Sequence, residues 1–279
     1  MEKEKFSEEF SGDIVRHSKA SYKAYIRDLT GENPAIPFDK NNQELNDLTE
    51  KGKELAENSA REYFANLNPA EDKLFFASSN EVRAIETAEI YRKIAKEMGF
   101  EIIHPEHSRS KISDEIADGD IRVLDALSLN SDNLLLDAIF QPASTKKYIN
   151  LSNVPQDLRE KFEKASSIVD EDDQGNWGNN FYKHVDRVKE IFPEIKNVQQ
   201  EYENKFRYLL KHFNTGKERA GDSGVTGNIK VLGFGHENYL LYAIRNIFQE
   251  EGINNCEVLH ITTDSDGITG KFRNKEAKL

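Results

Sequence analysis

Three short apolar runs each end in residues able to hold an anion, and this repetition narrows the folds open to the chain more than any other feature. Ile14-Val15 leads into Arg16-His17, Leu74-Phe75-Phe76-Ala77 into Ser78-Ser79 and then Arg83, and Val231-Leu232 into Gly235-His236. Apolar runs of this length, bounded by polar residues, read as buried strands. In an open α/β sheet ligands gather outside the carboxyl ends of the strands, so residues just past those ends converge although they are distant in sequence. Two arginines and two histidines brought together in this way make a pocket for a dianion such as a phosphoryl group. Guanidinium stays charged and grips phosphate oxygens bidentately, whereas imidazole is neutral near pH 7 and can attack phosphorus.

The chain has 279 residues, enough for one large α/β domain with a substantial insertion, and a single domain over residues 1–279 is expected. A formal net charge of −12 argues against general nucleic-acid binding, which needs a basic surface. Cations gathered at the strand ends would be a local exception, in a field that admits a small phosphate ester more readily than an extended polyanion. Cys256 is the single cysteine, which excludes an intramolecular disulfide and a cysteine-based zinc site and fits a reducing cytoplasm. The start, Met1-Glu2-Lys3-Glu4-Lys5, is charged and leads into no apolar signal-like stretch. Nowhere do about 20 apolar residues run together. The expectation is a soluble cytoplasmic protein with no membrane or nucleic-acid partner.

Residues 1–12 read as a polar lead-in and residues 13–16 as the first strand. Thr49 is a candidate N-cap for a helix that places Leu55, Ala56, Ser59, Ala60, Tyr63, Phe64 and Leu67 on one face. Residues 73–77 read as a buried strand, and Ser78-Ser79-Asn80 supply N-cap candidates for a helix ending near Gly99. Arg83 then falls in the first turn of that helix, where the dipole favours anions, so an arginine there reinforces an anion site. Residues 100–103 read as a third strand, followed by a polar stretch over 108–120. Residues 121–227 read as a mostly helical insertion or cap, closing on a loop over 214–228 with four glycines. A strand over 229–234, a helix over 238–251 and strands over 257–262 and 268–272 complete the pattern.

The segments Val15-Arg16-His17-Ser18-Lys19-Ala20, Leu48-Thr49-Glu50-Lys51-Gly52, Ala77-Ser78-Ser79-Asn80-Glu81-Val82-Arg83-Ala84-Ile85-Glu86-Thr87-Ala88 and Gly235-His236-Glu237 resemble, in order, the motifs of the histidine phosphatase superfamily, also called phosphoglycerate mutase-like. The resemblance covers residues 13–120 and 228–273. It implies a three-layer α/β/α sandwich with a largely parallel central sheet and a helical insertion. It also implies phosphorylation of His17, with Arg16, Arg83 and His236 holding the phosphoryl oxygens as charge spreads in the transition state, and no metal or other cofactor. In one branch of the family a glutamate after the third strand protonates the leaving oxygen. Ile112-Ser113-Asp114-Glu115-Ile116-Ala117-Asp118-Gly119 matches that segment and places the acid at Glu115, ahead of Asp114. Glu237, beside His236, is the competing acid, because another branch uses an acidic residue there. Such an acid must be protonated near neutrality, and a neighbouring phosphate raises its pKa in that direction.

The chain departs from the family in three places. Ser18 replaces the glycine that follows the nucleophile, and its side chain is expected either to crowd the phosphate or to donate a hydrogen bond to it. Ala20 and Lys23 stand where the mutase branch has serine or threonine and asparagine, which favours phosphatase over mutase activity. The implied substrate is a small phosphorylated molecule or a phosphoprotein, and the remaining alternatives are a phosphoglycerate mutase-type phosphotransferase, a protein phosphohistidine phosphatase and a catalytically inactive phospho-ligand-binding protein. His104 and His107 lack the further clustered ligands a metal site requires. Trp177, between Gly175 and Gly178, reads as a packed aromatic or a lid contact.

Overall fold

The structure is a computed structural model that describes residues 10–20, 47–103, 121–128, 134–146, 149, 151, 154–193, 195–222, 228–264 and 266–279. Among the described residues eight strands form one sheet: β1 (Phe10–Arg16), β2 (Asp72–Ser78), β3 (Glu101–Ile102), β4 (Ile121–Val123), β5 (Asn228–Gly235), β6 (Val258–Asp264), β7 (Gly267–Phe272) and β8 (Lys275–Lys278). Their order is β3-β2-β5-β1-β6-β7-β8, with β4 also paired to β2. β3 meets β2 at Lys73 and Leu74, and β4 meets it from Phe76 to Ser78. Every pairing among β1 to β5 is parallel, and β6, β7 and β8 add an antiparallel edge.

The helices are α1 (Glu50–Phe64), α2 (Val82–Glu97), α3 (Leu134–Ile139), α4 (Ala143–Lys146), α5 (Gln156–Asp170), α6 (Trp177–Val188), α7 (Ile195–Asp222) and α8 (Glu237–Asn246). Side chains alternate across a strand, and that alternation builds the layers. Val15, Leu74, Phe76, Leu232 and Phe234 pack with Ala56, Ala60 and Phe64 of α1 and Ala84, Ala88 and Tyr91 of α2. Ile14 and Ala77 point the other way, into a core with Phe206, Leu210 and Phe213 of α7 and Leu240 and Ile244 of α8. The result is the expected α/β/α sandwich on a largely parallel sheet. A third cluster joins Phe140, Phe162, Val169, Trp177, Phe181 and Val188 from the remaining helices to Leu241 of α8. Among the described residues no helix is long and apolar enough to cross a membrane.

Several elements differ from the sequence reading. β1 begins at Phe10, so the last residues of the expected lead-in belong to the sheet. Ile121–Val123, expected to open a helical insertion, is a parallel strand on β2, because a run of three residues with two β-branched side chains fits an open edge. α7 continues to Asp222, through Gly216 and Gly221 of the expected loop. β8 was not expected at all. Its sequence, Lys275-Glu276-Ala277-Lys278, is that of a charged edge strand, a composition that discourages further pairing and gives little hydrophobic signal. The polar stretch over 108–120, with Asp114 and Glu115, lies outside the described residues, as do Lys23, His104 and His107.

Candidate active site

Strand order brings the expected residues together. β5 lies between β2 and β1. Arg16 pairs with Gly235 and Ser78 with Phe234 in the two registers. Beyond the last pairs, the His17 N–H donates to Gly235 O at 3.0 Å and the Ser79 N–H donates to Phe234 O at 2.9 Å. His17, Ser79 and His236 therefore leave three adjacent strands at one level. The rings of His17 and His236 are 5.2 Å apart, and both residues are buried.

The Leu48-Thr49-Glu50-Lys51-Gly52 motif has a physical role in this arrangement. Thr49 caps α1, its hydroxyl oxygen accepting from the Gly52 N–H at 3.0 Å while the hydroxyl donates to Lys19 O at 3.2 Å. A Cβ on Gly52 would stand 2.1 Å from Lys19 O, so only glycine lets α1 press this closely against the chain leaving β1. The Ser18 hydroxyl is buried and donates to Gly52 O at 2.6 Å, so it braces α1 against the strand end.

His17 is held in one protonation pattern. Its Nδ1 lies 2.7 Å from Ser18 O; a carbonyl only accepts, so Nδ1 carries the proton. Nε2 is then the lone-pair nitrogen, and it accepts from Arg83 Nε at 3.3 Å. Burial first, then the charges of Arg83 and Arg16, hold the imidazole pKa well below 6.5, against a smaller upward pull from the Ser18 hydrogen bond. A ring with its unprotonated nitrogen beside a guanidinium has the chemistry of a nucleophile next to an anion-binding group.

Arg83 is the second residue of α2, in the first turn as expected. Its Nη1 lies 3.1 Å from Glu81 Oε2 and 4.0 Å from Asp47 Oδ2. The N-cap of α2 is Glu81, without a side-chain cap, and this corrects the expectation that Ser78, Ser79 or Asn80 would cap it. The Ser79 hydroxyl instead bonds His236 Nε2 at 2.8 Å and accepts from the Glu81 N–H at 3.2 Å. Glu86, one turn further along α2, accepts from the Asp47 and Leu48 N–H groups at 2.7 and 2.8 Å and so fixes the approach to α1. His236 caps α8. A Cβ on the preceding Gly235 would meet the Tyr239 hydroxyl, which accepts from the His236 N–H at 3.2 Å and donates to Leu127 O at 3.1 Å.

Arg16, expected to hold phosphoryl oxygens, also has partners within the protein. Nη2 pairs with Glu237 Oε2 at 2.8 Å, Nη1 donates to Ile253 O, and the buried Nε has no hydrogen-bond partner among the described residues. Glu237 is itself buried, and burial raises its pKa against the opposing pull of Arg16 and Arg245. The structure thus gathers His17, Arg83 and His236 tightly and adds Arg16 through a carboxylate; Glu115 lies outside the described residues. Glu81, Glu86, Thr87 and Asn255 were given no role from sequence. The first three lie inside the Arg83 motif, whose helical spacing was the available signal, and Asn255 carried none. Among the described residues no three His, Cys, Asp or Glu side chains gather as a metal-binding set. Trp177 is a packed aromatic, stacked on Phe181 at 4.9 Å with Phe140 edge-on.

No protein-family model matches the chain, and no curated protein matches it. Solved structures to which it is similar include a phosphoglycerate mutase from Bacillus anthracis str. Sterne, 15% identical with a TM-score of 0.47, the match covering 97% of this chain and 95% of that one. The alpha-ribazole phosphatase from Shigella flexneri is 9% identical, with a TM-score of 0.42 and coverage of 95% and 96%. The Klebsiella sp ASR1 phytase is 13% identical, with a TM-score of 0.39 and coverage of 95% and 82%. At such identities and scores the likeness is one of overall outline and assigns no role to any residue.

Proposed function

We propose that this chain is a histidine phosphatase that hydrolyses phosphomonoesters, without a metal, through a phosphohistidine on His17. The observation that carries the reading is the geometry of His17: a buried ring with Nδ1 on Ser18 O and Nε2 turned to Arg83, in surroundings that push its pKa down. In the first step the Nε2 lone pair attacks phosphorus as the bond to the ester oxygen breaks. Arg83, His236 and the Nε–H of Arg16 hold the three other oxygens, and the leaving oxygen takes a proton from a carboxylic acid. In the second step water attacks the phosphohistidine, its proton returns to that carboxylate, and Nε2 leaves as inorganic phosphate forms.

Glu115 is our first choice for the acid, on the motif resemblance. Glu237 is the second reading, supported by its burial and raised pKa beside Arg16, since a buried carboxyl that exchanges its arginine for a phosphate would take up a proton. Phosphatase rather than mutase activity is supported by Ala20 and Lys23. The substrate is a small phosphorylated molecule or a phosphoprotein, and the acidic net charge and single cysteine support a cytoplasmic location without nucleic-acid or membrane partners. The test is phosphate release from a panel of phosphomonoesters with EDTA present. Wild type is expected to turn over and His17→Ala to be silent; equal turnover by both would remove the nucleophile assignment. Glu115→Gln and Glu237→Gln, assayed with esters of good and poor leaving groups, identify the acid as the variant that loses only the poor ones.

A further inference from the structure

The peptide joining His17 to Ser18 is gripped at both ends by distant parts of the chain. Its carbonyl accepts from Asn255 Nδ2 at 2.8 Å, and its N–H donates to Thr87 Oγ1 at 3.0 Å. Thr87 is buried on α2, and its hydroxyl in turn donates to Arg83 O at 2.7 Å. Asn255 lies in the turn before β6, which also supplies Ile253 O to Arg16 Nη1, the Cys256 N–H to Arg16 O at 2.9 Å, and Glu257 O to the Arg16 N–H at 3.1 Å. The turn takes a positive φ of 60° at Cys256, immediately after Asn255, a left-handed conformation that a non-glycine residue adopts only where its surroundings impose it. Arg273, from the β7–β8 connection, braces the turn from outside, donating to Glu257 Oε1 at 2.7 Å and Gly252 O at 3.2 Å.

Holding both ends of one peptide plane removes its freedom to rotate. The next carbonyl along, Ser18 O, is the group that accepts the hydrogen bond from His17 Nδ1–H. We propose that Asn255 is a positioning residue for His17: by fixing the 17–18 peptide against Thr87 it aims Ser18 O at Nδ1 and leaves Nε2 as the lone-pair nitrogen facing Arg83. Asn255 does not touch the reacting atoms and acts through the backbone. The mechanistic consequence rests on the phosphohistidine reading; the geometric one does not.

The experiment is ¹⁵N NMR of histidine-labelled protein at about pH 8, where free imidazole is neutral, with His17 assigned by its loss in His17→Ala, alongside steady-state kinetics. Wild-type His17 is expected in the Nδ1–H form. Asn255→Ala and the isosteric Asn255→Asp, which replaces a donor with an acceptor facing a carbonyl, are expected to mix the two tautomers. They should lower kcat by about 10- to 100-fold, the scale of a small misplacement of a reacting group, while inhibition by inorganic phosphate moves less than about threefold. Thr87→Val should act in the same direction, and its effect should not add fully to that of Asn255→Ala, because both release one peptide. An unchanged tautomer in folded Asn255→Asp, or full additivity with Thr87→Val, overturns the assignment. A tautomer shift in a protein that turns over no phosphoester upholds the positioning role while the phosphatase reading falls.

Discussion

The end of the central strands and the helical layer beside it are held by opposite means. Around His17 the contacts are directional: backbone groups of β1 and β5, the Thr49 cap, the Glu86 carboxylate and the Asn255 amide fix individual atoms. Around Trp177 the contacts are faces of rings, with Phe181 stacked on it and Phe140 and Tyr202 edge-on. A hydrogen bond contributes little net stability but specifies position, whereas buried aromatic area contributes much stability and tolerates small shifts. On the proposed function, the strand-end site is therefore expected to lose activity before stability when altered, and the helical layer the reverse. The two regions meet at Glu237 and Leu241, which both face Gly178.

The largest effect that would test this contrast is at His17. His17→Ala should reduce turnover by about 10⁴-fold or more, the scale of losing a nucleophile, with a melting temperature close to wild type. A collapse of the fold would break the comparison. Phe181→Ala is the converse. Phe181 is buried between rings, and the substitution should cost about 3–5 kcal/mol of stability; in denaturant titrations that is a large drop in midpoint, while kcat of the folded fraction changes by less than about threefold. Gly178→Ala probes the seam. A Cβ there would stand 2.2 Å from Leu241 Cδ1 and 2.8 Å from Glu237 Oε1, so a loss of about 1–3 kcal/mol should come with a changed inhibition constant for phosphate, as Glu237 moves against Arg16.

The smallest effect is the pH dependence of stability. Burial, then Arg83 and Arg16, keep His17 well below its ordinary value of 6.5 in the folded chain. As pH falls through that value the unfolded chain binds a proton at this histidine that the folded chain does not, so stability decreases with falling pH. Melting curves taken from about pH 7.5 down to about pH 5.5 should show His17→Gln losing less stability than wild type, and parallel losses would contradict the buried neutral ring.

How much of this was legible from sequence depended on whether a feature was local. Strands announced themselves because Ile14-Val15 and Leu74 to Ala77 are apolar runs, so the approach of His17 and His236 followed from sheet topology, and that of Arg83 from its place in the first turn of the helix after β2. Thr49 was readable as a helix start because capping is a short-range rule. The bond from the Ser18 hydroxyl to Gly52 O was not legible because the two are 34 residues apart, and no local pattern reports that distance. Asn255 was missed for the same reason, its partner being 238 residues earlier. Ser79 resembled a helix cap by type, yet its hydroxyl belongs to His236, and Glu81 takes the cap position without bonding there. β8 escaped notice because an edge strand shields itself with charge, which erases the alternation by which strands are recognised.

The most direct test of the central claim is to look for the intermediate. Enzyme mixed with a ³²P-labelled phosphomonoester, quenched in base within the first turnover and digested, should carry label as an acid-labile, base-stable phosphoryl group on the peptide containing His17, with none in His17→Ala. Hydrolysis by wild type with no label on that histidine under rapid quench, or label on another residue, would contradict the account.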